Sequence, residues 1–158
     1  MENLYRIRQL TAEDIPTLQP LAQGFWDELP AQDYPPKAEG AELNFPALAE
    51  YWVQILEAGI GAIWVLEYRG HPVGFLQALR YHDRPTGLQI AAEEYWYVQP
   101  EHRGEGICLL ARFEQWAQGI KAAFTTKAWS VPTFREQLDK YYRATGHTQI
   151  AGIYMRKV

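Results

Sequence analysis

The sequence lacks the features that would place it in a secreted or membrane class. It has one cysteine, Cys108, and therefore cannot form an internal disulfide. It has no apolar run near the roughly 20 residues that a membrane-spanning helix needs, and its first residues contain no apolar signal core. These absences predict a protein of a reducing cytoplasm with no membrane partner.

Positive charge and metal-ligand spacing are also scarce. The chain carries 15 Lys and Arg against 19 Asp and Glu, a net charge of −4, with no basic cluster of the kind that binds phosphate backbones. Its histidines, at positions 71, 82, 102 and 147, share no ligand spacing with Cys108. We therefore predict no nucleic-acid partner and no metal site.

What is present suits one globular unit. Hydrophobic residues make up 47% of the 158 residues and aromatic residues 14%, which is enough to bury a core without disulfides. The sequence shows no internal repeat and no second domain. We therefore expect a single domain over residues 1–158.

Periodicity and turn residues predict a mainly antiparallel sheet interspersed with helices. The expected fold class is α+β, with three layers. The predicted elements, in chain order, are a strand at 4–8, a helix from Thr11 through Phe25, a Pro-rich loop at 29–40, a helix at 44–59, a hairpin of strands 60–68 and 72–81, a strand at 88–98, a helix carrying residues 109–117 and stopping at Gly119, a strand at 122–127, a helix from Thr133 to Gly146 with Phe134 on its core stripe, and a strand at 148–156.

The segment 103–108, Arg-Gly-Glu-Gly-Ile-Cys, combines a glycine-bearing turn with the start of a helix. Amides at a helix N-terminus lack acceptors, the helix dipole favours negative charge there, and glycine lets a phosphate approach the main chain. Such turns also serve as tight connections, so local spacing alone indicates only an anion site.

A wider stretch carries a family resemblance. Residues 95–110, Tyr-Trp-Tyr-Val-Gln-Pro-Glu-His-Arg-Gly-Glu-Gly-Ile-Cys-Leu-Leu, resemble the acetyl-CoA-binding motif of GNAT acetyltransferases, and residues 142–147, Tyr-Arg-Ala-Thr-Gly-His, look like that family's Tyr-x-x-x-Gly-Phe. The order of strands and helices agrees over nearly the whole chain. Two positions depart from the pattern: Cys108 stands where Gly or Ala is usual, and His147 replaces Phe.

The resemblance implies a GNAT-like fold, a mixed and mainly antiparallel sheet flanked by helices, with acetyl-CoA as co-substrate. It also implies that the backbone at Tyr97 and Val98 pairs with the pantetheine arm of CoA. The pyrophosphate would bind main-chain amides of the loop, which are those of Arg103, Gly104, Glu105, Gly106, Ile107 and Cys108. Cys108 narrows this site if its side chain points inward.

Two glutamates on the strand before the loop are candidates for the general base. An amine must be neutral to attack a thioester, and in enzymes of this kind a glutamate on this strand often serves as base, so Glu94 and Glu93 are the candidates. Strand alternation predicts opposite faces for them, with Glu94 sharing its face with Trp96 and Val98. The alternative is that both are ordinary solvent-facing strand residues, and of the two Glu94 is the preferred base.

Tyr142 matches the family's tyrosine that protonates the departing CoA thiolate. It lies one position beyond the expected core stripe of Phe134, Leu138 and Tyr141, so we expect it to point toward a cleft, although a packed tyrosine is the alternative. A nucleophilic role for Cys108 is a weaker alternative, since no partner histidine is evident.

The acceptor is less visible. The expected reaction moves an acetyl group to a primary amine of a small molecule or peptide, while a CoA-binding or interaction module without turnover, and a purely structural protein, are rival interpretations. The loop with Asp33, Tyr34, Lys37 and Glu39, and the hairpin end at 81–84, could recognise a cationic amine, but solvated loop charge is the favoured interpretation of both. The resemblance also allows a homodimer.

Overall fold

A computed structural model describes residues 4–127, 135–150 and 156 of the chain. The chain divides into two compact units. One unit comprises Met1–Gly24 and Asn44–Ala128 and contains the sheet. The other comprises Phe25–Leu43 and Trp129–Val158.

The elements follow the order that the sequence predicts. The strands are β1 (Tyr5–Gln9), β2 (Gly61–Tyr68), β3 (His71–His82), β4 (Gln89–Val98) and β5 (Phe124–Thr126). The α-helices are α1 (Gln19–Glu28), α2 (Pro35–Ala38), α3 (Phe45–Glu57), α4 (Ile107–Gly119) and α5 (Arg135–Ala144), and 3-10 helices occupy Ala12–Leu18, Ala31–Asp33 and Pro100–Glu105.

The five strands form one sheet in the order β1-β2-β3-β4-β5. Neighbouring strands from β1 to β4 are antiparallel, and β4 pairs with β5 in parallel. The predicted hairpin between β2 and β3 turns at Arg69 and Gly70, whose φ angles of 50° and 81° suit a tight two-residue turn. The α+β fold with a mixed, mainly antiparallel sheet is confirmed.

Helices cover both faces of the sheet. On one face Trp52 of α3 packs against Phe75 of β3, with ring centroids 5.4 Å apart. Trp64 of β2 pairs with Leu76, the neighbour of Phe75, and therefore points to the opposite face. There it meets Trp116 of α4 at 5.9 Å. The predicted three layers are thus present within the sheet-bearing unit.

The expected helix starts are confirmed where the residues are described. A capping box joins Thr11 and Asp14, and the Asn44 side chain accepts from the Ala47 amide at the start of α3 (3.1 Å). The predicted start of the last helix, Thr133 with Phe134, lies outside the described residues.

Two expectations need correction. The Pro-rich loop at 29–40 contains the 3-10 helix Ala31–Asp33 and the short helix α2, because Pro35 and Pro36 occupy the first turn, where a missing N–H costs nothing. Residues 148–150 and 156 of the expected last strand are not in a strand. Residues 151–155 lie outside the described part.

Candidate functional site

The strand that precedes the glycine loop contains a bulge. Gln77 of β3 faces Tyr95, and the next residue, Ala78, faces Glu93, so Glu94 is an extra residue in β4 with no counterpart of its own. A bulge of this kind breaks the alternation of side chains and bends the strand. The prediction of faces by simple alternation therefore fails at Glu94.

Glu94 lies on the face that α3 covers. Its carboxylate Oε2 accepts a hydrogen bond from the Tyr51 hydroxyl of α3 at 2.7 Å. The next residue, Tyr95, contacts Trp52 of the same helix, with ring centroids 6.1 Å apart. Both residues of the bulge thus project toward α3.

Glu93 lies on the α4 face. It pairs with Ala78, whose neighbours on the same face of β3 pair with Trp96 and Val98. The expectation that Glu94 shares a face with Trp96 and Val98 is therefore wrong, because the bulge at position 94 shifts the alternation by one residue. Glu93 is 6% exposed, whereas Glu94 is half-buried.

The hydrogen bond between Tyr51 and Glu94 has a fixed direction. Burial, together with the hydrogen bond to the Glu94 carboxylate, raises the pKa of Tyr51 well above its usual value near 10. The hydroxyl therefore stays protonated over the physiological pH range, and it remains the donor.

The outer edge of β4 changes character along the strand. Every second residue of an antiparallel strand points its N–H and C=O away from the partner strand. The Gln99 amide donates to the Val73 carbonyl of β3 (2.9 Å). With the register of the two strands, this bond means that the backbone N–H and C=O of Tyr97 also point toward β3. The backbone groups of Val98 and Trp96 therefore point outward. Within the described ranges, β5 covers this edge only as far as Ala92.

Tyr97, whose backbone was predicted to pair with the pantetheine arm, contributes to packing through its side chain. Its side chain is 8% exposed, and a Cβ placed on Gly24 of α1 would lie 2.6 Å from the Tyr97 hydroxyl. Glycine at position 24 thus allows α1 to cross directly over this ring. Of the predicted backbone positions Tyr97 and Val98, only Val98 lies at the outer edge. The second outward-pointing position is Trp96.

The glycine loop joins β4 to α4 through the 3-10 helix Pro100–Glu105. Its two glycines differ in environment. A Cβ at Gly106 would lie 2.8 Å from Val98 and 3.5 Å from Trp96, so this glycine lets the start of α4 pack on β4. A Cβ at Gly104 would meet no atom within 4 Å, and its φ is not positive. Packing and backbone conformation therefore do not require glycine at position 104.

The first turn of α4 presents amide groups at the end of this loop. The Gly106 amide donates to Arg103 O (3.1 Å), and the Leu109 amide donates to Gly106 O (3.0 Å). The amides of Ile107 and Cys108 have no acceptor within the helix by α-helical geometry. Glu105 and both of these residues are exposed, so the thiol of Cys108 does not fill the interior of the loop.

Side chains hold the loop to the sheet at two points. Arg103 Nε donates to the Val98 carbonyl at 3.1 Å. A hydrogen bond of 2.8 Å joins the Tyr5 hydroxyl of β1 to His102 Nδ1, and the His102 ring lies 5.0 Å from that of Tyr68. Desolvation, with the Glu105 carboxylate nearby, raises the pKa of Tyr5, which keeps this hydroxyl protonated.

The second predicted anchor is a helix C-cap. At the end of α5 the His147 amide donates to Tyr142 O (2.9 Å), the Gly146 amide donates to Arg143 O (3.1 Å), and Gly146 has a φ of 85°. These are the bonds of a Schellman motif, which also brings its flanking side chains together. The His147 ring accordingly lies 5.7 Å from the Tyr142 ring.

We predicted that Tyr142 points away from the core, and this prediction is wrong. Tyr142 is 8% exposed, and Tyr141 and Leu138 are only half-buried. The expected stripe misplaced it by one position, because residues 138 and 142 are four apart and share a face of the helix.

Lys37 in the predicted acceptor loop has a structural role. Its ammonium donates to the carbonyls of Trp26, Asp27 and Leu29, at 2.5, 3.0 and 2.7 Å, at the end of α1. A cation suits that position because the last carbonyls of a helix lack intrahelical donors. At the hairpin end the Asp83 carboxylate accepts from the Thr86 amide (3.2 Å) and hydroxyl within its own turn.

Across residues 4–127, 135–150 and 156, no three His, Cys, Asp or Glu residues lie close enough together to hold a metal ion. In these same ranges no helix combines the length and apolarity that crossing a membrane requires.

The sequence did not indicate Tyr51 or Trp96 as site residues. Tyr51 lies 43 positions from Glu94 and reaches it only because α3 packs on the sheet. Trp96 becomes an edge residue through the register of β4. The proximity of Trp96 to Val98 in the motif is the one signal that could have suggested it.

Solved N-acetyltransferases share this fold. The ribosomal-protein-alanine N-acetyltransferase from Brucella melitensis biovar Abortus 2308 is 21% identical, covers 99% of this chain and 100% of its own, and has a TM-score of 0.71. The GCN5-related N-acetyltransferase from Ralstonia eutropha JMP134 is 18% identical over 97% and 98% of the two chains, also with a TM-score of 0.71. The aminoglycoside N-acetyltransferase AAC(6')-Iy, crystallised with CoA, is 21% identical over 97% and 94%, with a TM-score of 0.68. At these identities the likeness shows the fold.

The sequence itself defines the family. Residues 21–147 match the profile of the Acetyltransferase (GNAT) family. The chain therefore belongs to the GNAT family, which confirms the resemblance inferred from residues 95–110 and 142–147. No curated protein matches the chain.

Proposed function

We propose that this protein is an acetyl-CoA-dependent N-acetyltransferase that moves the acetyl group to a primary amine by direct attack. The observation that carries the proposal is the outer edge of β4, where the backbone groups of Trp96 and Val98 lie beyond the end of the β5 pairing. This edge leads directly into the glycine loop and the first turn of α4. An extended ligand with a phosphate group at one end suits that order of features.

The residues fit the CoA part of acetyl-CoA. The amides of Val98 and Trp96 and the Trp96 carbonyl are edge groups that suit the pantetheine amides, while the Val98 carbonyl already accepts from Arg103 Nε. Main-chain amides within 103–108 would hold the pyrophosphate, with those of Ile107 and Cys108 best placed because they lack helical acceptors. The open surroundings of Gly104 are consistent with a ligand that approaches the backbone there. When bound, acetyl-CoA supplies the acetyl group as an activated thioester.

Glu94 is the better candidate for the general base. It is half-buried at the bulge and accepts a hydrogen bond from Tyr51, whereas Glu93 is nearly fully buried on the α4 face. A primary ammonium has a pKa of about 10.4, so it must lose a proton before attack. A carboxylate at the point where the strand bends is suited to accept that proton.

We keep Tyr142 as the proposed acid that protonates the CoA thiolate, from its match to the family motif. Its C-cap supports a fixed ring position, because the His147 ring and the Schellman bonds hold that end of α5. Direct transfer is preferred to a Cys108 intermediate, since the thiol is exposed at the anion-binding loop.

The acceptor class follows from fold neighbours only in broad terms. Their names record acetylation of aminoglycosides and of a ribosomal-protein alanine. We propose an amine of a small molecule or peptide as the acceptor, and residues 1–158 as one functional acetyltransferase domain. Cytoplasmic localisation and a homodimer stay predictions.

Calorimetric titration with acetyl-CoA, followed by a thiol-release assay over an amine panel, tests the proposal. Binding with CoA release on at least one acceptor supports the enzyme. Binding without release on any acceptor favours the CoA-binding module. Absence of binding would contradict both.

Replacing Tyr142 by Phe tests the acid role. Loss of the hydroxyl should reduce kcat by about 10- to 100-fold, because general acid catalysis contributes at least this much. The affinity for acetyl-CoA and the melting temperature should change little, since the ring and its contact with His147 remain. An unchanged kcat would contradict the role, and His147→Phe, which restores the usual family residue, serves as the matched control.

A further inference from the structure

Tyr51 of α3 is the side chain that restrains the Glu94 carboxylate. Its hydroxyl donates to Glu94 Oε2 at 2.7 Å. Among the residues that the structure describes, no second hydrogen bond or ion pair reaches this carboxylate, so Oε1 has no partner there. One oxygen of Glu94 is thus occupied by Tyr51, and the other is available.

The helix that carries Tyr51 is fixed against the sheet at two points. Trp52, the next residue, is 0% exposed, and its ring lies 6.1 Å from that of Tyr95 on β4. Nearly one turn later, Ile55 lies against β2, where a Cβ placed on Gly61 would be 2.7 Å from its Cδ1. Close packing of this kind leaves α3 little freedom to rotate or slide. The Tyr51 hydroxyl is therefore held at a defined place over the bulge.

The bulge makes Glu94 dependent on such a restraint. Glu94 is the extra residue of β4 and has no counterpart on β3, so no directly opposite side chain confines it. Its side chain has several rotatable bonds, and ordering them costs conformational entropy. The bond from Tyr51 thus supplies an orientation that the strand ladder does not.

The direction of this bond decides which oxygen can act as the base. Burial, followed by the hydrogen bond to Glu94, raises the pKa of Tyr51, so its hydroxyl keeps its proton and remains the donor. A donated hydrogen bond uses a lone pair of Oε2. The unoccupied Oε1 is therefore the oxygen suited to accept a proton from a substrate.

We propose that Tyr51 is a positioning residue, which orients the Glu94 carboxylate so that Oε1 takes up the proton of the acceptor amine. This inference rests on the proposed function, in which Glu94 is the general base. In this step one N–H bond of the acceptor ammonium breaks, its electron pair stays on the nitrogen, and an O–H bond forms at Oε1. Glu94 becomes the neutral acid, and Tyr51 exchanges no proton.

A double-mutant cycle tests whether Tyr51 acts through Glu94. Tyr51→Phe removes the hydroxyl and keeps the ring, and melting temperatures check that the fold persists. This substitution is made in the wild type, in Glu94→Gln and in Glu93→Gln. The Glu93→Gln background is the matched control, because Glu93 lies on the opposite face of the sheet. Substitutions that act through the same group are not additive, whereas independent ones are.

We expect Tyr51→Phe to lower kcat about 10-fold in the wild type and in Glu93→Gln, because a small misplacement of a catalytic group costs this much or more. KM for acetyl-CoA should stay within about 2-fold, since Tyr51 is not part of the glycine loop or of the β4 edge. In Glu94→Gln the same substitution should change the residual kcat by less than about 2-fold. An equal loss in all three backgrounds, or an unchanged kcat in the wild type, would overturn the proposal.

Crystal structures of the wild type and of Tyr51→Phe test the restraint without reference to turnover. In the wild type the Tyr51 hydroxyl should lie within about 3.0 Å of the Glu94 carboxylate. In Tyr51→Phe the carboxylate should occupy a different position or more than one, and superimposable carboxylates would contradict the positioning role. If the wild type acetylates no amine, the proposed function fails. If it acetylates an amine and the cycle is additive, only the role of Tyr51 fails.

Discussion

The two halves of β4 differ in what lies on their outer edge. From Ile90 to Ala92 the strand is paired on both sides, with β3 and with β5. From Tyr95 to Val98 it keeps β3, while the described part of the chain provides no strand on its other side. Glu94, the bulge residue, stands between the halves.

This difference shows how one strand serves two purposes. The first half is an interior strand with a neighbouring strand on each side. The second half leaves the outward backbone groups of Trp96 and Val98 at an edge, and edges of this kind pair readily with extended ligands. Bulges often occur next to active sites, since they redirect a side chain and end a pairing.

Removing the carboxylate at the junction should have the largest effect. Glu94→Gln is expected to lower kcat by about 100-fold or more, because a positioned general base contributes 10²- to 10⁴-fold. Steady-state kinetics with saturating acetyl-CoA measures this change. Glu93→Gln, the same substitution on the α4 face, should mainly lower the melting temperature. A larger kcat loss in Glu93→Gln than in Glu94→Gln would reverse our assignment of the base.

The two loop glycines separate packing on the second half of β4 from ligand binding. Gly106→Ala places a methyl group 2.8 Å from Val98 and should cost about 1–3 kcal/mol of unfolding free energy. Gly104→Ala adds its methyl group to open space and should leave stability within about 0.5 kcal/mol.

Thermal denaturation and acetyl-CoA titration on both variants check this pair. We expect Gly104→Ala to weaken acetyl-CoA binding without loss of stability. Equal melting temperatures for the two variants would contradict the packing role of Gly106. Undiminished affinity in Gly104→Ala would remove Gly104 from the site.

Tyr5→Phe tests how far the loop depends on β1, at the opposite edge of the sheet from β5. The change removes the hydrogen bond to His102 and keeps the ring. Because one such bond contributes about 0.5–1.5 kcal/mol, KM for acetyl-CoA should rise about 2- to 10-fold with little change in kcat. Tyr68→Phe, whose ring contact with His102 remains, is the control, and an equal rise in both variants would argue against the hydrogen bond.

The smallest expected effect concerns the connection that leads to the first half of β4. α4 ends at Gly119 as predicted, and Lys121, with a φ of 56°, is the residue in the left-handed conformation after the helix. Lys121→Gly should raise the unfolding free energy by about 1 kcal/mol and the melting temperature by about 2–4 °C. We expect kcat and KM of Lys121→Gly to be unchanged. A change in either constant would contradict this expectation and would indicate that the connection to β5 affects the site.

Much of the fold was predictable because its signals are local. The hairpin at Arg69 and Gly70, the caps at Thr11 and Asn44, and the left-handed Gly146 each depend on a few adjacent residues. The glycine loop was found for the same reason. The face of Glu94 was predicted wrongly because alternation assumes an unbroken ladder, and the extra residue is defined only by pairing with β3.

The sequence by itself determined where the candidate donor site lies, since strand, glycine turn and helix follow one another within residues 95–110. Tertiary structure decided which groups are available there. Strand register turned Val98 and Trp96 outward and Tyr97 inward, and the packing of α3 brought Tyr51 to Glu94 and enclosed Gln77. The reason is physical: propensities and caps act over a few residues, whereas register and burial arise only when segments far apart in the chain come into contact.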